Sequence, residues 1–122
     1  MKVLVVDDSV SMRQMVNLIL TDAGHSVILA SDGVEALEKF NQEIELVITD
    51  FNMAKMGGIE LVKAIRAGQV NRTVPVIMLT TESESNKKRE SMQAGATAWI
   101  TKPFNRDSML AMIEKVTRTV RF

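Results

Sequence analysis

Four apolar runs in this chain each end in a polar residue of a particular kind. Lys2-Val3-Leu4-Val5-Val6 runs into Asp7-Asp8, and Leu46-Val47-Ile48-Thr49 into Asp50. Val74-Pro75-Val76-Ile77-Met78-Leu79 runs into Thr80-Thr81, and Ala98-Trp99-Ile100-Thr101 into Lys102-Pro103. Short runs rich in β-branched residues read as strands buried on both faces of a parallel sheet. In an open α/β sheet the carboxyl ends of the strands line the ligand crevice. If the four strands are neighbours, three carboxylates, a hydroxyl and an ammonium meet along one edge. That is the chemistry of a metal-assisted phosphoryl site.

Helical patterns separate the strands from end to end. Ser9 can cap a helix with Met12, Met15, Val16, Ile19 and Leu20 on one stripe, stopped at Gly24. Val27-Ile28-Leu29-Ala30 reads as a strand, and Ser31-Asp32-Gly33 turns it into a short helix carrying Val34, Leu37 and Phe40. A loop from Phe51 to Gly57 leads to a third helix with Ile59, Leu61, Val62 and Ile65, ending near Gly68. The fourth helix is expected from about Ser83 to Ala94. The fifth opens at Asn105, with Phe104 and Met109 spaced as a hydrophobic staple and a stripe of Met109, Leu110, Ile113, Val116 and Val120. Five βα units predict a three-layer α/β sandwich around a doubly wound parallel sheet. At 122 residues the chain is one domain, 1–122, with no repeat, linker or low-complexity segment.

The fourth helix differs from the rest. From Glu84 to Ser91 it has no apolar residue, and Met92 and Ala94 are nearly its only anchors. Little buried apolar area leaves little to hold it down. It is either an element free to switch or an ordinary exposed helix.

Composition removes several function classes. The chain has no Cys, which excludes disulfides, thiol catalysis and thiolate metal sites. No apolar stretch approaches the ~20 residues of a membrane span. The first strand starts at once, with no room for a signal peptide, so a cytoplasmic protein is expected. Net charge is zero but unevenly placed: residues 1–83 hold 7 basic and 11 acidic side chains, residues 84–122 hold 8 and 4. The basic excess, which includes Lys87-Lys88-Arg89, Lys115, Arg118 and Arg121, could suggest nucleic acid. Few aromatics interleave with it and the whole chain is neutral, which favours a solvated helix face instead. The nine Met residues fall mostly at helix-core spacing.

Three carboxylates brought close repel one another, which raises their pKa values unless a cation is present. Oxygen ligands without His or Cys favour Mg²⁺ over Zn²⁺. Mg²⁺ takes only one or two carboxylates, leaving another free to act as nucleophile. A lone Asp after a strand is commonly a helix cap. Two strands ending in Asp, with Thr and Lys ending two more, favour a site. Thr80 offers a hydroxyl to a phosphoryl oxygen and Lys102 a point charge, and Lys102-Pro103 admits a cis peptide bond.

The chain resembles the CheY-like response-regulator receiver domains. The resemblance spans its whole length. It rests on Val5-Val6-Asp7-Asp8-Ser9, Ile48-Thr49-Asp50-Phe51-Asn52-Met53, Met78-Leu79-Thr80-Thr81-Glu82, Gly95-Ala96 and Lys102-Pro103-Phe104. It implies a flavodoxin-like (βα)5 fold with strand order 2-1-3-4-5. It implies a phosphorylation-dependent switch in which Asp50 accepts a phosphoryl group from a histidine kinase. Asp7 and Asp8 would hold Mg²⁺, directly or through water, with Asp50 and the backbone carbonyl of Asn52. Thr80 would be the switch hydroxyl and Lys102 the phosphoryl contact. The change would be read by a protein partner on the face of the fourth helix, fifth strand and fifth helix. A lone receiver of this kind resembles the chemotaxis type, which implies a monomer, a CheA-like kinase and the flagellar motor switch as a candidate target. Asn52 and Glu82 flank the site at positions that, in this family, go with rapid self-dephosphorylation.

Some residues depart from the family pattern. The loop usually reads Met-Pro-x-Met-Asp-Gly; here Met53-Ala54-Lys55-Met56-Gly57-Gly58 loses the Pro and gains a Gly, which should loosen it without removing a ligand. The aromatic switch position holds Trp99, either a rotameric switch or a filler between sheet and fourth helix. Lys87-Lys88-Arg89 stands where motor binders often show an apolar contact, so a phosphate sink or relay competes with motor binding. Two readings from other classes fit less well. A haloacid-dehalogenase-type phosphatase would place Asp-x-Asp on the first strand, not the adjacent Asp7-Asp8, and would need a cap domain. A flavodoxin-like cofactor binder would need a Gly-rich phosphate loop and stacking aromatics, and this chain has no Tyr.

Overall fold

Alternation along the strands sets the layers. The computed structural model describes residues 1–81 and 85–118. It contains β1 (Lys2–Val6), α1 (Val10–Asp22), β2 (Ser26–Ala30), α2 (Gly33–Lys39), β3 (Leu46–Asp50), α3 (Gly58–Ala67), β4 (Val76–Thr81), α4 (Ser85–Ala94), β5 (Ala98–Lys102) and α5 (Arg106–Arg118). The strands form one sheet in the order β2-β1-β3-β4-β5, every neighbouring pair parallel. Leu4, Val6, Val47, Val76 and Met78 point to one face and pack with Ala36 of α2 and Ile59, Val62 and Ile65 of α3. Val3, Val5, Ile48, Ile77, Leu79 and Ile100 point to the other and pack with Val16 and Leu20 of α1 and Met109, Ile113 and Val116 of α5. The flavodoxin-like α/β fold expected from the sequence is therefore present. Its register sets Asp50 beside Leu79, Thr80 beside Thr101 and Thr81 beside Lys102.

Local signals hold where a cap or turn has a specific chemical role. The Ser9 hydroxyl accepts from the Met12 amide (3.3 Å), and the Asn105 carboxamide oxygen accepts from the Ser108 amide (2.8 Å). Phe104 and Met109 join the same apolar cluster, as a staple requires. The peptide bond Lys102–Pro103 is cis.

Side-chain burial differs from the expected stripes in three helices. Met15 of α1 and Val34 of α2 are exposed, because each helix buries only a narrow row on the sheet. Among the described side chains of α4 the fully buried one is Ser91, while Met92 is 40% exposed. The helix is thus turned by one residue step, about 100°, from the face that hydropathy would choose. The Ser91 hydroxyl donates to the Lys87 carbonyl at 2.7 Å, so this small side chain faces the sheet with its polar group satisfied. Residues 83 and 84 of the expected fourth helix, and Val120 of the last stripe, lie outside the described residues. Beyond the end of α4, Gly95 has φ +113, and its carbonyl accepts from Arg66 Nε at 3.0 Å. Arg66 Nη1 donates to the Arg72 carbonyl at 2.7 Å, tying α3, α4 and the loop before β4 together.

The start of α2 gives a pH dependence. Glu35 Oε1 accepts from the Ser31 amide (2.6 Å) and hydroxyl (2.9 Å), and Lys39 lies 3.2 Å from Oε2. These bonds, the backbone one foremost, hold the Glu35 carboxyl down from its ordinary 4.5 to about 2. A carboxyl depressed on folding stabilises the fold above its unfolded pKa and loses that contribution as pH falls through its folded one. Glu35→Gln is expected to flatten the acid limb of stability between about pH 4.5 and about pH 2. Urea midpoints across that window measure it.

Candidate functional site

Strand ends supply the charged groups. Asp7 directly follows β1, and its amide donates to the Ala30 carbonyl at 3.1 Å, which fixes it against β2. Its carboxylate is buried, Oδ1 accepting from the Ser9 amide at 2.9 Å. Asp8 is exposed beside it, and Asp50 closes β3 half-buried. One carboxylate oxygen from each of Asp7, Asp8 and Asp50 lies within 4.8 Å of the other two. Lys102, at the end of β5, sends its ammonium across the edge of β4 to Asp50 Oδ1 at 2.9 Å, and it stands 3.7 Å from Asp7 Oδ2. Thr80 is buried near the end of β4, and its hydroxyl finds no hydrogen-bond partner among the described residues.

Of the residues predicted from sequence, Asp7, Asp8, Asp50 and Lys102 are brought together, and Thr80 stands one residue before the end of β4, the strand between those that carry Asp50 and Lys102. Asn52 is exposed in the loop two residues past Asp50. In the same loop Lys55 adopts φ 65, a left-handed conformation that favours Asn or Gly. Gly58 cannot carry a side chain: a Cβ there would meet the Asp50 carbonyl oxygen and Met78 Sδ. Glu82 lies outside the described residues. Trp99, on β5, remains 38% exposed and borders an opening between α4 and α5 with Met92, Met112 and Val116. It leaves that space partly open.

One participant was not anticipated. Arg13 Nη1 donates to the Asp7 carbonyl at 2.6 Å, clamping the turn between β1 and α1. Side chains in the first turn of a helix lean toward its N-terminus, so a long cation there was the available signal.

The match to known proteins agrees with this geometry. Residues 3–114 match the family model described as response regulator receiver domain. The chain belongs to the response-regulator receiver family. It is 40% identical to a chemotaxis protein CheY homolog of Campylobacter jejuni, covering 98% of this chain and 94% of that one. It is 39% identical to chemotaxis protein CheY1 of Helicobacter pylori, covering 98% of each. Among solved structures it is similar to the chemotaxis response regulator CheY4 of Vibrio cholerae, with TM-score 0.87 and 46% identity over 94% of this chain and 97% of that one.

The receiver's acidic cluster fits a hard divalent cation. All its donors are oxygens, and Asp7 Oδ2 is buried without a hydrogen-bond partner among the described residues. Burial pushes the Asp7 carboxyl above its ordinary 3.8, and the charges of Asp50 and Asp8 push it further; the Ser9 amide and Lys102 oppose them. A carboxyl whose folded pKa is raised destabilises the fold once pH exceeds its unfolded value. At neutral pH, without divalent cation, Asp7→Asn is therefore expected to raise the melting midpoint by a few degrees. With Mg²⁺ the order reverses, because only the unaltered protein gains binding free energy. Melting with and without Mg²⁺ checks both halves. A variant that Mg²⁺ stabilises as much as the unaltered protein would remove Asp7 from the cation site.

Proposed function

We propose that this receiver is a phosphorylation-dependent switch of the chemotaxis type, with Asp50 accepting a phosphoryl group from a histidine kinase. The observation that carries this reading is the Lys102 ammonium 2.9 Å from Asp50 Oδ1, beside two further carboxylates and the Thr80 hydroxyl, which has no partner among the described residues. An Asp50 oxygen attacks phosphorus, a P–O bond forms, the P–N bond of phosphohistidine breaks, and the imidazole leaves and takes a proton. Asp7 and Asp8, with Asp50 and the Asn52 carbonyl, would hold Mg²⁺, directly or through water. Bound there, Mg²⁺ supplies positive charge that neutralises the phosphoryl oxygens. Lys102 pairs with one of those oxygens, and the Thr80 hydroxyl donates to another, satisfying a buried group that has no partner among the described residues. Asn52 and Glu82 orient the water that hydrolyses the acyl phosphate.

The readout is the face of α4, β5 and α5. Exposed Trp99 and Met92, with Met112, form its apolar part, and Lys88, Arg89 and Lys115 border it. Such a surface favours an acidic peptide with apolar anchors. Partners of this reading are a CheA-like kinase and a protein target such as the flagellar motor switch, met by a cytoplasmic monomer in which residues 1–122 act as one receiver domain. Among the described residues no helix is long and apolar enough to cross a membrane.

Incubation with a small phosphodonor and Mg²⁺, then borohydride trapping and mass spectrometry, should place a single label on Asp50. Asp50→Asn should take none. Label on Asp7 or Asp8 with Asp50 clean would favour a dehalogenase-type phosphatase instead. Thr80→Ala is expected to be phosphorylated but to bind its partner poorly, whereas Asp8→Ala loses Mg²⁺ affinity first. Replacing Glu82 by an apolar residue should slow loss of the phosphoryl group; an acyl phosphate as long-lived in the unaltered protein as in a simple peptide would sink that role. Trp99 fluorescence and amide shifts, compared with and without beryllofluoride, test the readout face. Changes confined to the Asp50 pocket would rule it out.

A further inference from the structure

The basic run Lys87-Lys88-Arg89 does not act as one patch. Lys88 and Arg89 border the Trp99 opening. Lys87 turns the other way, its ammonium 5.0 Å from the centroid of the Phe51 ring. Phe51 is the residue directly after Asp50. Its position is fixed by its own backbone, since its amide donates to the Leu79 carbonyl at 3.2 Å and its carbonyl accepts from Gly58 at 2.9 Å. Its half-buried ring packs against the apolar cluster under α2 and α3. The ring is therefore a fixed platform, and a cation over its face is attracted by the ring quadrupole.

The attachments of α4 give this contact its importance. The C-terminal end is clamped through Gly95 by Arg66, and the Ala96 amide donates to the Ser91 carbonyl at 3.0 Å. The middle rests on Ser91, a side chain with little area to bury. The first half of the helix reaches the acceptor loop through Lys87. A phosphoryl group carries about 1.5 to 2 negative charges where the Asp50 carboxylate carried one, so phosphorylation adds up to about one negative charge and extends it outward, one residue from the ring that positions this ammonium. That added charge attracts Lys87 in the phosphorylated state more than in the resting one. A group that interacts more strongly with one of two states biases the equilibrium toward it.

We infer that Lys87, held over Phe51, is a positioning residue that draws the first half of α4 toward the acceptor when Asp50 is phosphorylated. The inference rests on the receiver reading of Asp50. It concerns a tie between helix and acceptor loop, separate from the partner face.

The test measures affinity for beryllofluoride with Mg²⁺ by titration, and the amide shifts of Asn86–Glu90, in the full chain. Lys87→Met is expected to weaken beryllofluoride binding about two- to fivefold, the factor that a cation–π contact of exposed strength supports, and to shrink the α4 shifts. Lys87→Arg should restore both, since guanidinium also sits over aromatic faces. Phe51→Leu should weaken binding similarly, and the double variant Phe51→Leu/Lys87→Met no more than the worse single one, the non-additivity of a shared contact. Additive losses, or Lys87→Met binding as tightly as the unaltered protein with α4 shifts intact, would overturn the inference and leave the receiver reading standing. Absence of Asp50-dependent beryllofluoride binding in the unaltered protein would overturn both.

Discussion

A carboxylate buried beside two others, with one ammonium to balance them, is the constraint on which this structure turns. Asp7 is 1% exposed, close to Asp8 and Asp50, and Lys102 reaches both it and Asp50. Burying like charges together costs free energy, and the Lys102 ammonium offsets only part of it. The fold tolerates the cluster because its stability comes from elsewhere. Two apolar layers, one under α2 and α3 and one under α1 and α5, bury both faces of the sheet behind this edge. Strain at the edge is therefore separable from the core, as expected where function rather than packing sets residue choice.

The fold was legible because its signals were redundant. Apolar strands, Gly stops, the caps at Ser9 and Asn105 and the Phe104–Met109 staple agreed with one another, and the structure has each of them. The charged residues of the site were legible for a simpler reason: parallel strands put all their carboxyl ends on one edge, so position in the run was enough. Contacts that depend on rotation about a helix axis were not legible. Hydropathy assigned Met92 to the buried face of α4, whereas Ser91 occupies it. A hydroxyl that bonds within its own helix counts as apolar for packing purposes, and no hydropathy scale records that. Arg13 was missed for a related reason, because its partner is a backbone carbonyl that carries no residue-type signature. Met15 and Val34, read as core, proved exposed, since helical spacing marks a stripe without marking its width.

The loop after Asp50 shows how this chain departs from its family without losing its site. Ala54 and Gly57 replace the usual Pro and Asp, yet the turn is fixed from outside itself. The Gly57 amide donates to Glu60 Oε1 at 3.0 Å, the Met56 carbonyl accepts from Gly33 at 3.0 Å, and Gly58 packs directly on Asp50. Three neighbours thus hold what the lost Pro would have held through its own ring. The conformational freedom expected from the extra Gly is largely removed by tertiary contacts, which act on the folded state; the entropic cost in the unfolded chain remains.

Charge placement and topology meet in Lys102. The acidic excess lies in residues 1–83 and the basic excess in residues 84–122, and Lys102 is the basic-half residue that crosses to the acidic edge. It can do so because β5 pairs with β4 in a register that sets Lys102 beside Thr81, one step beyond Thr80. Trp99 lies three residues back on the same strand, beside Met78. A change in charge at Asp50 therefore acts on two elements that border the exposed Trp99: on β5 through Lys102, and on α4 through Phe51 and Lys87. The strand is held by its ladder and by Ile100 in the core, whereas the helix is held by Ser91 and its clamped end. Equal forces on the two should displace the helix more. Sparse apolar anchoring of α4 and dense charge at the strand ends are thus complementary: one supplies the force, the other the part free to respond.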